Sequence, residues 1–121
     1  MTIPDYQQIM LPLLKFAGDK KEHTTHDVTE HLSKYFNLTE KEKSELLPSG
    51  EQTIVSNRVS WARTYLKKSG LLESTRRGYF RITKRGLEVL KQNPPEIGVK
   101  FLEQFPEFTD FKTRRDKKSS V

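Results

Sequence analysis

SGEQTIVSNRVSWARTYLKKSGLLESTRRGYFRITKRG, residues Ser49 to Gly86, carries the pattern that decides the fold. Its first part reads as one long helix. Ser49-x-x-Gln52 is a capping box, in which each side chain satisfies an amide left open at a helix start, and Gly70 suits the left-handed residue just past the end. At about 100° per residue, Val55, Val59, Ala62 and Leu66 share one narrow face, which predicts a helix pressed into a core. The opposite arc collects Thr53, Ser56, Asn57, Ser60, Arg63, Thr64 and Lys67, without one acid. A merely solvated helix face commonly mixes Glu with Lys, so this arc points to an anionic partner. Leu71 to Thr75 and Tyr79 to Thr83 then alternate as strands. Gly78 supplies the positive φ that a tight hairpin needs after Arg76-Arg77.

Charge follows the same boundaries. Between Ile54 and Gly86, Arg58, Arg63, Lys67, Lys68, Arg76, Arg77, Arg81, Lys84 and Arg85 stand against one acid, Glu73. Residues 1 to 53 carry six Lys against nine acids, so the formal net charge of +6 is concentrated in one stretch. Such local concentration is the footprint of a surface that meets a polyanion.

Upstream, Thr2 as N-cap, Pro4 near the first helical position and Gly18 past the end delimit a helix whose apolar face is Ile9, Leu13, Phe16 and Ala17, with Tyr6 and Met10 beside it. Thr24 or Thr25 caps a second helix with Val28, Leu32, Tyr35 and Phe36 as its apolar positions. Thr39-x-x-Glu42 is a capping box for a third, which runs out at Leu46, Leu47 and Pro48. Downstream, Thr83 caps a helix from Lys84 to Asn93 carrying Leu87, Val89 and Leu90, stopped by Pro94-Pro95. Ile97, Phe101, Phe105 and Phe108 keep helical spacing until Pro106 interrupts. KTRRDKKSSV has no periodic apolar face. The expected class is mainly α with a small β-hairpin, in the order of a winged helix-turn-helix. Residues 1–93 form the DNA-binding domain, 94–111 a Phe-rich extension packing on it or on a neighbour, and 112–121 a basic flexible linker or tail.

The 121 residues suit one core. With no Cys there is neither a disulfide framework nor a thiolate metal site, and the start MTIPDYQQIM lacks a basic region followed by an apolar run. A soluble, cytoplasmic protein is expected, with no membrane partner.

In the winged-helix reading, Ser56, Asn57, Ser60 and Thr64 face base edges, where an amide such as Asn57 pairs with adenine in the major groove. Arg63, Lys67 and Lys68 reach phosphates, and Arg76 and Arg77 at the hairpin tip grip the flanking backbone, with Arg81 behind them. Five or six neutralised phosphates would give a slope of about −5 for log affinity against log salt. Trp61 and Tyr65, four residues apart on the helix flank, are read as packing aromatics rather than base-stacking ones. His23, His26 and His31 do not share a helix face, so no metal site is expected. Metal-dependent nucleases need converging carboxylates with a Lys nearby. The strings Asp19-Lys20-Lys21 and Asp116-Lys117-Lys118 have no strand scaffold, so the chain is expected to have no catalytic site and no cofactor.

The chain resembles the N-terminal domain of Mrr-type restriction proteins, the modification-dependent (type IV) restriction endonucleases. Carrying the resemblance are Ile3-Pro4-x-Tyr6 with Leu11-Pro12-Leu13-Leu14, Leu47-Pro48-Ser49-Gly50, and Asn57-Arg58-x-x-Trp61-Ala62. To these are added Leu66-Lys67-Lys68-Ser69-Gly70-Leu71, the run from Arg77 through Thr83 to Gly86, Val99-Lys100-Phe101-Leu102 and Phe105-Pro106-Glu107-Phe108. The Asn-Arg-x-x-Trp-Ala and Phe-Pro-Glu-Phe elements are the most specific. The resemblance implies binding of methylated duplex DNA and its delivery to a C-terminal nuclease domain that uses Mg²⁺. That nuclease domain is not in these residues, which is expected of an excised domain or of a standalone homologue. Two other readings stay open: a standalone winged-helix transcription regulator acting as a homodimer, and a protein-interaction module working through its Phe-rich segment.

Overall fold

Short polar side chains set the helix starts. The computed structural model describes the backbone of residues 3–119 and the side chains of residues 3–114. Helix α1 (Tyr6–Ala17) begins at Asp5, whose carboxylate accepts from the Gln8 amide at 2.8 Å while its own amide donates to Gln8 Oε1. The expected cap, Thr2, lies outside the described residues. Strand β1 (His23–Thr24) leads into α2 (Thr25–Tyr35), capped by Thr24, and α3 (Glu40–Ser44) starts from the Thr39/Glu42 box. Helix α4 (Ile54–Lys68) starts at Thr53, four residues after the expected Ser49. The Ser49/Gln52 box does not form because the backbone there has another use. Leu46 and Thr53 bridge, the Leu47 amide donates to the Gln52 carbonyl and the Ile54 amide to the Glu45 carbonyl, and Gly50 (φ 75) turns the chain between them.

Strands β2 (Leu72–Arg76) and β3 (Tyr79–Ile82) form the expected hairpin, with Gly78 at φ 83 in the turn. The sheet is three-stranded and antiparallel rather than a lone hairpin. Its order is β1-β3-β2, with His23 opposite Phe80 and Thr24 opposite Tyr79. Helix α5 (Lys84–Lys91) is capped by Thr83 and ends before the expected Asn93, which itself takes a left-handed φ of 52. Then come α6 (Val99–Leu102) and α7 (Pro106–Ser119). Pro106 opens α7 instead of interrupting a helix, since the first helical position has no use for an amide hydrogen. The α7 backbone continues without a break through residue 112 to Ser119.

The core joins both ends of the chain. Ile9, Met10, Leu13, Leu14 and Ala17 of α1, Val28 and Leu32 of α2, and Val55, Val59, Ala62 and Leu66 of α4 are buried together with Leu71, Leu72, Phe80 and Ile82. Ile97, Leu102 and Phe108 enter the same cluster, and Phe101, Phe105 and Phe111 pack against it. Tyr35, expected on the buried side of α2, is 62% exposed and meets Phe36 edge to face at the helix end.

Two contacts fix α5 against the rest of the fold. Gly86 sits where a Cβ would come within 2.4 Å of the Leu71 carbonyl oxygen and 2.6 Å of Ile82, so α5 lies directly on the hairpin. Arg85 donates to the Ser69 carbonyl at the end of α4 (2.9 Å), pairs with Glu107 of α7, and covers the Phe105 ring at 5.0 Å. The hydrogen bond from Arg85 holds the Glu107 carboxyl below the usual Glu range, against an opposing desolvation effect.

Gly86→Ala is expected to destabilise the protein by about 2–3 kcal/mol, because the blocking atom is backbone and cannot swing aside; the shift in urea midpoint at constant m-value measures it. The Glu107 pair makes a second prediction. A depressed folded-state pKa contributes stability that is complete above the ordinary value of about 4.3 and is lost as pH falls through the lower folded value. Emission from Trp61, the single Trp, should therefore show an acid transition below about pH 4 that Glu107→Gln diminishes. Identical transitions in both proteins would show that this pair does not anchor α7.

Candidate nucleic-acid interface

The apolar stripe and one flank of α4 are spoken for. Its apolar stripe faces α1, α2 and β2. Its flank is taken by the N-terminal arm and α7: Arg58 Nη1 donates to the carbonyls of Ile3 (2.7 Å) and Pro4 (3.2 Å), and Tyr65 meets Tyr6, Trp61, Phe108 and Phe111 edge to face at 5.1–6.0 Å. Trp61 and Tyr65 thus belong to one aromatic cluster between α4, α1 and α7. Lys68 lies on that flank too, 5.4 Å over the Phe111 ring.

The remaining arc holds Ser56, Asn57, Ser60, Arg63, Thr64 and Lys67. Lys67 is exposed and the other five are half-buried. Among the described residues, none of these six side chains has a hydrogen bond or ion pair, and the buried Arg63 Nε has no partner. The first turn of α4 carries no acid, and Thr53 caps the Ser56 amide, so the positive end of the helix dipole is not offset by a carboxylate. An unpaired row of hydroxyl, amide and cationic groups can donate hydrogen bonds to phosphates and exchange them with base edges.

At the hairpin the two adjacent arginines part. Opposed pairs Leu72/Ile82, Glu73/Arg81 and Ser74/Phe80 run in register, then a bulge at Thr75 puts Arg76 opposite Tyr79. Residues opposite one another share a sheet face, so the bulge moves Arg76 from the Leu72 side to the side of Tyr79, Arg81 and Glu73. There its guanidinium lies 3.8 Å over the Tyr79 ring, and Nε donates to Glu22 Oε2 at 3.2 Å. Arg81 pairs with Glu73 at 3.1 Å. Arg77, exposed at the turn, has no side-chain partner among the described residues.

The basic stretch is therefore less free than its composition implies. Glu22 and Glu107 come from outside it to pair with Arg76 and Arg85, Glu73 takes Arg81, and Arg58 and Lys68 are held by carbonyls and an aromatic ring. Arg63, Lys67, Arg77 and Lys84 carry charge with no partner among the described residues. Glu73 and Arg81 face each other across the hairpin, but no local sequence signal could have revealed Glu22 and Glu107, whose pairs span 54 and 22 residues.

Chemistry elsewhere is sparse. His23 Nε2 sits 2.9 Å from Asp19 Oδ1 and, with His31, flanks the Phe16 ring. Among the described residues no three His, Cys, Asp or Glu side chains gather as metal ligands. An open groove of about 800 Å³ runs between α1, the end of α2 and residues 94–101, lined by Leu11, Pro12, Tyr35, Phe36 and Phe101 among others; none of its lining residues belongs to α4 or the hairpin. No helix among the described residues is long and apolar enough to cross a membrane.

Comparison with known proteins agrees with the resemblance carried by the motifs. The family model of the Mrr N-terminal domain matches residues 6–92. The type IV methyl-directed restriction enzyme EcoKMrr of Escherichia coli (strain K12) is 30% identical over 95 residues, which are 78% of this chain and 31% of that protein. The match thus spans about a third of the relative's length. No solved structure matches. The chain belongs to the Mrr N-terminal domain family.

Proposed function

We propose that this chain is the DNA-recognition part of an Mrr-like restriction endonuclease, a winged helix that binds methylated duplex DNA in the cytoplasm and presents it to a nuclease domain. The observation that carries the reading is the α4 arc, acid-free and unpaired, on a helix whose apolar stripe and one flank are occupied. Ser56, Asn57, Ser60 and Thr64 read base edges, and Arg63, Lys67 and Arg77 take phosphates. Arg76 and Arg81 add to the grip only by leaving Glu22 and Glu73, while Lys68 lies toward α7. The chain needs no cofactor for this; Mg²⁺ belongs to the nuclease step. Burial of Ile97, Leu102 and Phe108 in the domain's own core removes much of the apolar surface that a protein-interaction module would use.

Titration of duplexes with and without methylated bases across a salt series tests the reading. With three unpaired cations on phosphates, log affinity should fall with log salt at a slope of about −3, shallower than the −5 expected from composition alone. Binding without salt dependence would refute it. Lys67→Ala and Arg77→Ala should weaken every duplex alike. Asn57→Ala should instead narrow discrimination between duplexes by about 1–3 kcal/mol.

A further inference from the structure

We infer that Glu22 is a built-in competitor for nucleic-acid phosphate, holding Arg76 across the sheet so that only a closely placed backbone phosphate can claim it. This rests on the DNA-binding reading above and adds a residue that controls the strength of the hairpin's grip.

The geometry is specific to Arg76. Its neighbour Arg77, with identical chemistry, is unpaired, whereas Arg76 is fixed twice: by Glu22 at 3.2 Å and by the Tyr79 ring at 3.8 Å. The Thr75 bulge puts it there; plain alternation would direct it to the opposite face. Glu22 is held in place as well. It directly precedes β1, where His23 and Thr24 pair with Phe80 and Tyr79, and His23 is braced by Asp19 and Phe16. The carboxylate is therefore carried by the residue that leads into the far edge strand, and the arginine reaches it by crossing β3. A guanidinium can swing from carboxylate to phosphate oxygen while keeping its plane over the tyrosine, because both acceptors suit the same donor fork. Both partners are solvent-accessible, 62% for Arg76 and 36% for Glu22, so the pair is weak enough for a phosphate to displace.

Duplex affinity of the wild type, Glu22→Gln, Arg76→Ala and the double variant, measured over a salt series, tests this. Glu22→Gln is expected to tighten binding by about threefold. It should also steepen the salt slope by about 0.9, the signature of one more phosphate neutralised. In the Arg76→Ala background the same substitution should do almost nothing. Unchanged or weaker binding by Glu22→Gln overturns the proposal, the latter meaning that Glu22 orients Arg76 productively. Equal tightening in both backgrounds also overturns it, because Glu22 would then be only a nearby negative charge. Wild-type binding without a Glu22 effect sinks this inference alone; no binding by the wild type or by Glu22→Gln sinks the DNA reading with it.

Discussion

Helix α4 is held along its core face, along one flank and at its C-terminal end, and that constraint shapes everything else. Val55, Val59, Ala62 and Leu66 commit one side to the core, and the aromatic group around Tyr65 commits the flank. Arg85 closes the C-terminal end by taking the Ser69 carbonyl, one of the acceptors that any helix leaves open there. With rotation about its own axis blocked, the helix can present only the Ser56–Lys67 arc. A loosely seated helix would present an average of several faces and discriminate among none.

Charge is arranged with equal restraint. A stretch with nine bases and one acid would repel itself if every group stood free. Glu22, Glu73 and Glu107 relieve that repulsion where the fold brings them in, and they leave unpaired cations on α4 and at the hairpin turn. Exposed pairs of this kind add little to stability. Their larger effect is on which cations stay unpaired at the surface.

Much of this was legible in the residues. The buried stripe of α4, the caps at Thr24, Thr39 and Thr83, and the glycines at 70 and 78 follow from local periodicity and backbone preference, and all are found. The misreadings share a cause. Ser49-x-x-Gln52 matches a capping box, yet the backbone there closes a turn instead, with the Gln52 carbonyl accepting from the Leu47 amide and Leu46 bridged to Thr53. Strand β1 is two residues long, too short for any period to show, and exists only because β3 is beside it. The acid partners of Arg76 and Arg85 are equally invisible, since pairing across 54 and 22 residues is a property of the fold and not of any window. On the candidate interface, the α4 arc was readable from spacing, whereas the differing circumstances of Arg76 and Arg77 were not.

The extra residue in β2 has a consequence for how relatives of this domain are compared. Whether an arginine before the turn points toward Tyr79 or away from it depends on the count of residues in the strand, not on the letter in the column. Two homologues with the same Arg-Arg-Gly string but hairpins differing by one residue would expose opposite chemistry.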